Sequence, residues 1–174
     1  MSTSYGMKEL SLFFSNISGK DVKCITADTY RHQFGNTRSG WKHKKDTRTI
    51  HIVNAATVAQ LSNKIGIPLD PKRFRPNLIV TNLEPWKEFD FVGKSITTSS
   101  GVVLDVLSRT VRCDGVSVDP FDMSRSKLDI PNLLKQNFPE YGPYLGVYAV
   151  VKEGGTLNVG DSFLEGFTKP CEIS

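Results

Sequence analysis

From Thr49 onward this chain repeats one device: a strand-length run rich in Val, Ile and Thr, stopped by glycine or proline before it can lengthen. Thr49 to Val53, Leu78 to Thr81, Ser95 to Thr98, Val102 to Arg112, Leu145 to Lys152 and Thr156 to Leu164 read as strands, with Pro76, Pro85, Gly93 and Gly101 as punctuation. Glu153-Gly154-Gly155 predicts a hairpin joining the last two runs. Leu10 to Phe14 and Val22 to Thr26, separated by the turn-forming Ser18-Gly19-Lys20-Asp21, predict an opening hairpin. Only two stretches switch to helical spacing. In Asn54 to Ile65, Val58, Leu61 and Ile65 fall on one face, Thr57 and Gln60 fit a capping box, and Gly66 with Pro68 ends the helix. In Ile130 to Phe138, Asp129 suits the cap, Pro131 the first turn, and Leu133, Leu134 and Phe138 the buried stripe. Helices do not alternate with strands one for one, which argues against a doubly wound parallel sheet. The expected fold is β-rich α+β, mainly β: a barrel-like antiparallel or mixed sheet with a few short helices at its rim.

A chain of 174 residues with 39% hydrophobic and 23% charged residues suits one domain, 1–174, with a core that needs no staples. No apolar stretch approaches the roughly 20 residues that span a bilayer, and the start MSTSYGMKEL has no apolar signal-peptide centre. A soluble, cytoplasmic protein with no membrane partner is the expectation. Cys24, Cys113 and Cys171 are odd in number and contain no C-x-x-C pair, so neither a disulfide framework nor a Cys-rich zinc site is indicated.

The net charge of +4 is unevenly placed. Between Arg31 and Arg48 six cations (Arg31, Arg38, Lys42, Lys44, Lys45, Arg48) face one anion, Asp46, so the rest of the chain is close to neutral. A nucleic-acid binder usually spreads its cations along a groove or helix. Here they crowd one Gly- and Asn-containing segment, read as a basic surface loop, and nucleic acid is not an expected partner. His32 and His43 lie in it and His51 follows, with no carboxylate or Cys at ligand spacing; solvated histidines are the simplest reading and an anion-contacting loop the alternative.

Two clusters carry candidate chemistry. In Lys72-Arg73-Phe74-Arg75-Pro76-Asn77 an extended backbone would put Arg73, Arg75 and Asn77 on one face, where two guanidinium forks and an amide suit a phosphate-like anion. The same residues equally suit loop carbonyls and local carboxylates. In Arg109-Thr110-Val111-Arg112-Cys113-Asp114-Gly115 a thiol closes a strand beside Arg112. Such a thiol is either a small buried hydrophobe or an exposed, partly ionised ligand or nucleophile. Alternation puts Arg112 on the face opposite Cys113, so contact between them requires a bulge or bend.

The order RTIHIVNAAT, LDPKRFRPNLIV, EPWKEFDFVGKSI, RTVRC with SVDP, and YLGVYAVVKEGGTLNVGD resembles the MOSC domain, named for the C-terminal region of molybdenum cofactor sulfurases, over residues 49–163. It is most similar to the subgroup containing the amidoxime-reducing components. The resemblance implies a β-barrel-like fold that binds the molybdenum cofactor, with Cys113 as the molybdenum ligand. It also implies cofactor contacts from Arg75 and Asn77, with neighbouring Arg73 and Arg112, and from Tyr148, and it aligns Thr57 with a Thr that opens a helix. At family level alone it carries an association with pyridoxal phosphate. The larger relatives have a further N-terminal β-domain with basic contacts, for which the Arg31 to Arg48 loop is the expected substitute, and a Ser where this chain has Val111.

The resemblance leaves three functions. One is a molybdenum-dependent reductase of oxygenated or N-hydroxylated small molecules, fed by an external electron-transfer protein. Another is a non-redox sulfur carrier with a Cys113 persulfide, or a cofactor-delivery protein, served by a sulfur donor. The third is a binding module that keeps only the fold.

Overall fold

The computed structural model describes residues 4–25, 49–122, 127–164 and, for the backbone, 171–173. Seven strands form one sheet: β1 (Thr49–Asn54), β2 (Leu78–Thr81), β3 (Ser95–Thr97), β4 (Val103–Val111), β5 (Tyr144–Glu153), β6 (Ser162–Phe163) and β7 (Cys171–Ile173). Their order is β3-β4-β5-β1-β2-β7-β6, antiparallel except for β1 and β2. That parallel pair is joined by α2 (Ala55–Ile65), the crossover a parallel connection demands. The first five strands curl into a half-barrel, and β7 and β6 carry the ladder onward until it returns to the end of β3. There Thr98 bridges Phe163, the Leu164 amide donates to the Thr97 carbonyl at 2.7 Å, and the Ser99 amide donates to the Ser162 carbonyl at 2.7 Å. The barrel-like sheet with short helices is therefore as expected.

Ile52, Val53, Leu104, Val106, Leu145, Val147, Ala149 and Phe91 are buried in the core. Against them pack Val58 and Leu61 of α2, and Ile130 and Leu134 of α3 (Ile130–Asn137). Burial of each such side chain contributes about 1.5–3 kcal/mol, enough to hold helices this short in place. Asp129 caps α3 by accepting from the Asn132 amide, with Pro131 in the first turn. Gly66 ends α2 in a left-handed conformation at φ 69°, which a Cβ would penalise.

Four expectations change. Residues 4–18 form a helix, α1 (Ser4–Ser18), in place of the strand Leu10 to Phe14. Met7, Leu10, Phe14 and Ile17 recur every three or four positions, and Gly19 at φ 65° stops the helix rather than turning a hairpin. No strand forms over residues 22–25. That segment instead runs back beside α1, its Val22 and Cys24 amides donating to Ser15 Oγ and Ser11 Oγ, both at 2.8 Å. The hairpin over Glu153-Gly154-Gly155 is also absent: β5 already pairs with β1 and β4 on its two edges, and only Ser162–Phe163 of the last run becomes strand, against β7. Finally, Asn54 rather than Thr57 caps α2, its Oδ1 accepting from the Ala56 amide at 3.0 Å, while Gln60 accepts from the Trp86 indole. The basic loop Arg31 to Arg48, with His32 and His43, lies outside the described residues. Among those described, no helix is long and apolar enough to cross a membrane.

Candidate functional site

Residues 71–77 are not extended. Asp70 accepts from the Lys72 amide at 2.7 Å and caps a single 3-10 turn, Pro71–Phe74, which ends at Arg75 with φ 54° and ψ 52°. A left-handed, non-glycine residue directly before a proline is costly backbone, of the kind that persists only where surrounding contacts fix it. The turn separates the three residues that an extended strand would align. Arg73 points inward and is 5% exposed. Its Nη2 meets Asp119 Oδ2 at 2.9 Å, and its Nη1 donates to the Ser117 carbonyl at 3.1 Å and to the Val116 carbonyl at 3.3 Å. Arg73 thus ties this turn to the 3-10 turn Asp114–Ser117 that follows Cys113. Arg75 is exposed. Asn77 clamps β1: its amide donates to the His51 carbonyl at 2.8 Å and its Oδ1 accepts from the His51 amide at 2.8 Å, which leaves the Nδ2 donors for another partner.

The other half of the site is the end of β4. Its register against β5 shifts between Arg109 and Val111, the irregularity needed to bring Arg112 beside Cys113. Cys113 is exposed and free. Arg112 lies against the protein, its Nη2 donating to the Phe74 carbonyl at 2.9 Å and its guanidinium 5.4 Å from the centre of the Phe74 ring. Among the described residues no carboxylate pairs with it, and its buried Nε has no hydrogen-bond partner. Burial, more than the neighbouring Arg75 charge, draws the Arg112 pKa down to about 10, against the pull of Tyr148 and Cys113.

Between the two halves stands His51, in β1 and nearly fully buried, not solvated. Arg112 Nη1 lies 3.2 Å from His51 Nε2, and His51 Nδ1 lies 3.4 Å from the Arg75 carbonyl. A guanidinium can only donate, so Nε2 is the acceptor and Nδ1 carries the proton, facing the carbonyl. Burial first, and the Arg112 charge second, lower the His51 pKa to about 4, so the ring is neutral. Tyr148 sits directly opposite on β5, the ring centres 5.3 Å apart. Gly146, at φ 79°, leaves the space the imidazole needs: a Cβ there would lie 2.7 Å from Nε2 and 2.6 Å from the Ile52 carbonyl oxygen.

Thr57 is fully buried behind this site. Its hydroxyl donates to Glu88 Oε2 at 2.9 Å and accepts from the Trp86 amide at 2.8 Å. Asn54 Nδ2 also donates to Glu88 Oε2, at 3.0 Å, and Glu88 Oε1 has no well-formed partner. Burial pushes the Glu88 pKa up to about 7 despite these hydrogen bonds.

The structure therefore brings Arg75, Asn77, Arg112 and Tyr148 round His51, with Cys113 next to Arg112, and it turns Arg73 and Thr57 into the interior. His51 and Glu88 are the residues sequence reasoning missed. For His51 a signal existed: it lies within the strand expected from Thr49 to Val53, two positions before an apolar Val53, and so shares that residue's inward face. Nothing of the kind marked Glu88.

Among the described residues no three of His, Cys, Asp or Glu converge as a metal cage. A metal at Cys113 must therefore bring most of its ligands with it. The donor set suits such a group: a soft thiol for the metal, and a half-buried cation with an unused donor for an attached anion. A family model described as the MOSC domain matches residues 30–163, most of the chain. No curated protein matches it.

Proposed function

We propose, from the premise that the chain belongs to the MOSC domain family, that it binds the molybdenum cofactor at the end of β4 and is a reductase of oxygenated or N-hydroxylated small molecules. The family is associated with that cofactor. The observation that carries the reading is Arg112, a half-buried cation with no carboxylate partner among the described residues, immediately before an exposed Cys113. A charge partly withdrawn from water without a counterion is costly, and an anionic ligand offsets that cost.

Cys113 would hold molybdenum, and Arg112, Arg75 and the Asn77 amide would hold the pterin phosphate. When bound, the group supplies the redox chemistry that abstracts oxygen from a substrate, with electrons from an external protein partner. The chain's own residues bind and orient. Arg75 presents an exposed fork from a backbone fixed by the His51 and Arg112 contacts to its turn, and Tyr148 lies against the His51 ring with a phenol able to donate or accept.

The exposure of Cys113 also favours a second reading, in which the thiol takes the sulfane sulfur of a donor protein's persulfide, the donor leaving as a thiol, and no redox turnover belongs to this chain. Metal analysis of protein purified from a host that makes the cofactor separates them. Stoichiometric molybdenum in wild type and none in Cys113→Ser supports the proposal. Metal-free wild type that gains radiolabelled sulfur from a cysteine desulfurase, with loss of label in Cys113→Ser, overturns it in favour of the carrier.

A further inference from the structure

We infer that His51 is a positioning residue for the anion site: as an uncharged acceptor it fixes the orientation of the Arg112 guanidinium and leaves that group's charge and remaining donors for the ligand. The inference deepens the proposed function and rests on it, since it takes Arg112 as an anion-binding group.

Arg112 directly follows β4, whose register has slipped before its end, so the strand does not define its direction. Three contacts do. Phe74 supplies a carbonyl at 2.9 Å and an aromatic face, and His51 supplies Nε2 at 3.2 Å. The two acceptors engage different nitrogens of the fork, which fixes rotation about its long axis as well as its reach. His51 is itself fixed on every side. Its main-chain amide and carbonyl are both bonded by Asn77, its Nδ1 faces the Arg75 carbonyl, and its ring lies between Tyr148 and the space that Gly146 leaves open. The imidazole is thus held in the tautomer that accepts from Arg112, and Arg75 and Arg112 are coupled through one ring. A carboxylate in the same place would orient the guanidinium equally well but would cancel its charge. A neutral ring leaves that charge intact.

The test uses inorganic phosphate as the probe, titrated into full-length protein with the Arg112 Nε–H followed by NMR. His51→Phe keeps an aromatic ring and removes both nitrogens; His51→Gln keeps an acceptor. The expected result is a loss of about tenfold in phosphate affinity in His51→Phe, the effect of one charge-assisted hydrogen bond, with recovery of most of it in His51→Gln. In an Arg112→Lys background the His51→Phe loss should vanish, because a point charge has no fork to aim. His51→Gln supplies the answer if His51→Phe does not fold, because Gln binding phosphate like wild type while its Arg112 Nε–H signal is scrambled overturns the inference. Equal phosphate affinity in folded His51→Phe and wild type also overturns it, as does an undiminished His51→Phe loss in the Arg112→Lys background. Phosphate that fails to perturb Arg112 in wild type removes the anion site itself, and this inference with it.

Discussion

Glu88→Gln should expose a pH dependence of stability that the wild-type protein conceals. In the native state Glu88 keeps its proton up to about pH 7, whereas in the unfolded chain it releases it near 4.5. Its folded pKa is raised, so its contribution to stability is complete below pH 4.5 and is lost as pH rises through 7. His51 works in the opposite sense. It stays neutral in the native state down to about pH 4, whereas the unfolded chain takes up the proton near 6.5, so its contribution is complete above pH 6.5 and is lost as pH falls through 4. At about 1.4 kcal/mol per tenfold change in proton affinity, each group alone swings stability by about 3 kcal/mol. Between pH 4.5 and 6.5 the native state gains one proton at Glu88 and forgoes one at His51, and the two slopes cancel.

Glu88→Gln removes one of the two and leaves the other. Urea unfolding followed between about pH 4 and about pH 8 should give a nearly level wild-type curve through the acid window, apart from the common contribution of surface carboxylates. The Gln variant should gain about 3 kcal/mol as pH rises from 4 to 6.5, and above pH 7 it should exceed wild type, because the buried carboxylate no longer ionises. His51→Gln should show the mirror image, losing about 3 kcal/mol as pH rises from 4.5 to 7. Parallel curves for Glu88→Gln and wild type across the whole window would refute the reasoning. They would mean that Glu88 holds no proton in the native state.

Cys113→Ser should change stability by about 1 kcal/mol or less, since the thiol is exposed, while abolishing molybdenum retention; calorimetry and metal analysis check the two halves. Arg75→Gly should raise stability by about 1 kcal/mol by removing a left-handed non-glycine residue, yet weaken phosphate binding by about tenfold, read by urea unfolding and by phosphate titration of the same sample. Arg73→Met should cost about 3–5 kcal/mol, because it breaks a buried ion pair, and urea unfolding measures it. Gly146→Ala forces a Cβ to within 2.7 Å of the imidazole at positive φ, and should lower the melting temperature by about 10 °C, the equivalent of about 3 kcal/mol in a domain of this size.

What the chain discloses before folding is governed by how local each determinant is. Strands β1 to β5 and helices α2 and α3 could be read because their apolar spacing, their stops (Gly66, Gly101) and a start (Pro131) are written within a few residues. The opening helix was misread because Leu10, Phe13 and Phe14 satisfy both a short strand and a helix face, and the Gly19 stop is common to both. The 154–155 glycines were misread for a different reason: whether a hairpin forms depends on which strand edges remain unpaired, and both edges of β5 are taken by β1 and β4. At the site, Cys113, Arg112 and Tyr148 could be proposed from strand position and resemblance. The fate of Arg73 depended on Asp119, 46 residues away, and that of Glu88 on Asn54, 34 residues before it. Partners that distant leave no periodic trace.

The same distance explains why the most informative residue was the least conspicuous. A histidine in a strand offers no motif, and close in sequence to the basic segment that contains His32 and His43 it reads as one more solvated ring. Its meaning comes from four elements meeting: β1 carries it, β5 supplies Tyr148 and the missing side chain at Gly146, the turn at 71–75 supplies a carbonyl, and β4 supplies the guanidinium. Because Arg112 has nothing to accept with, the proton on that ring must face Arg75, and because the ring is neutral the positive charge stays on the fork. An arginine buried for structure alone has a carboxylate, as Arg73 has Asp119. Arg112 has only uncharged acceptors, His51 Nε2 and the Phe74 carbonyl, instead, and that difference between two arginines 39 positions apart is what distinguishes a clamp within the fold from a group held ready for an anion.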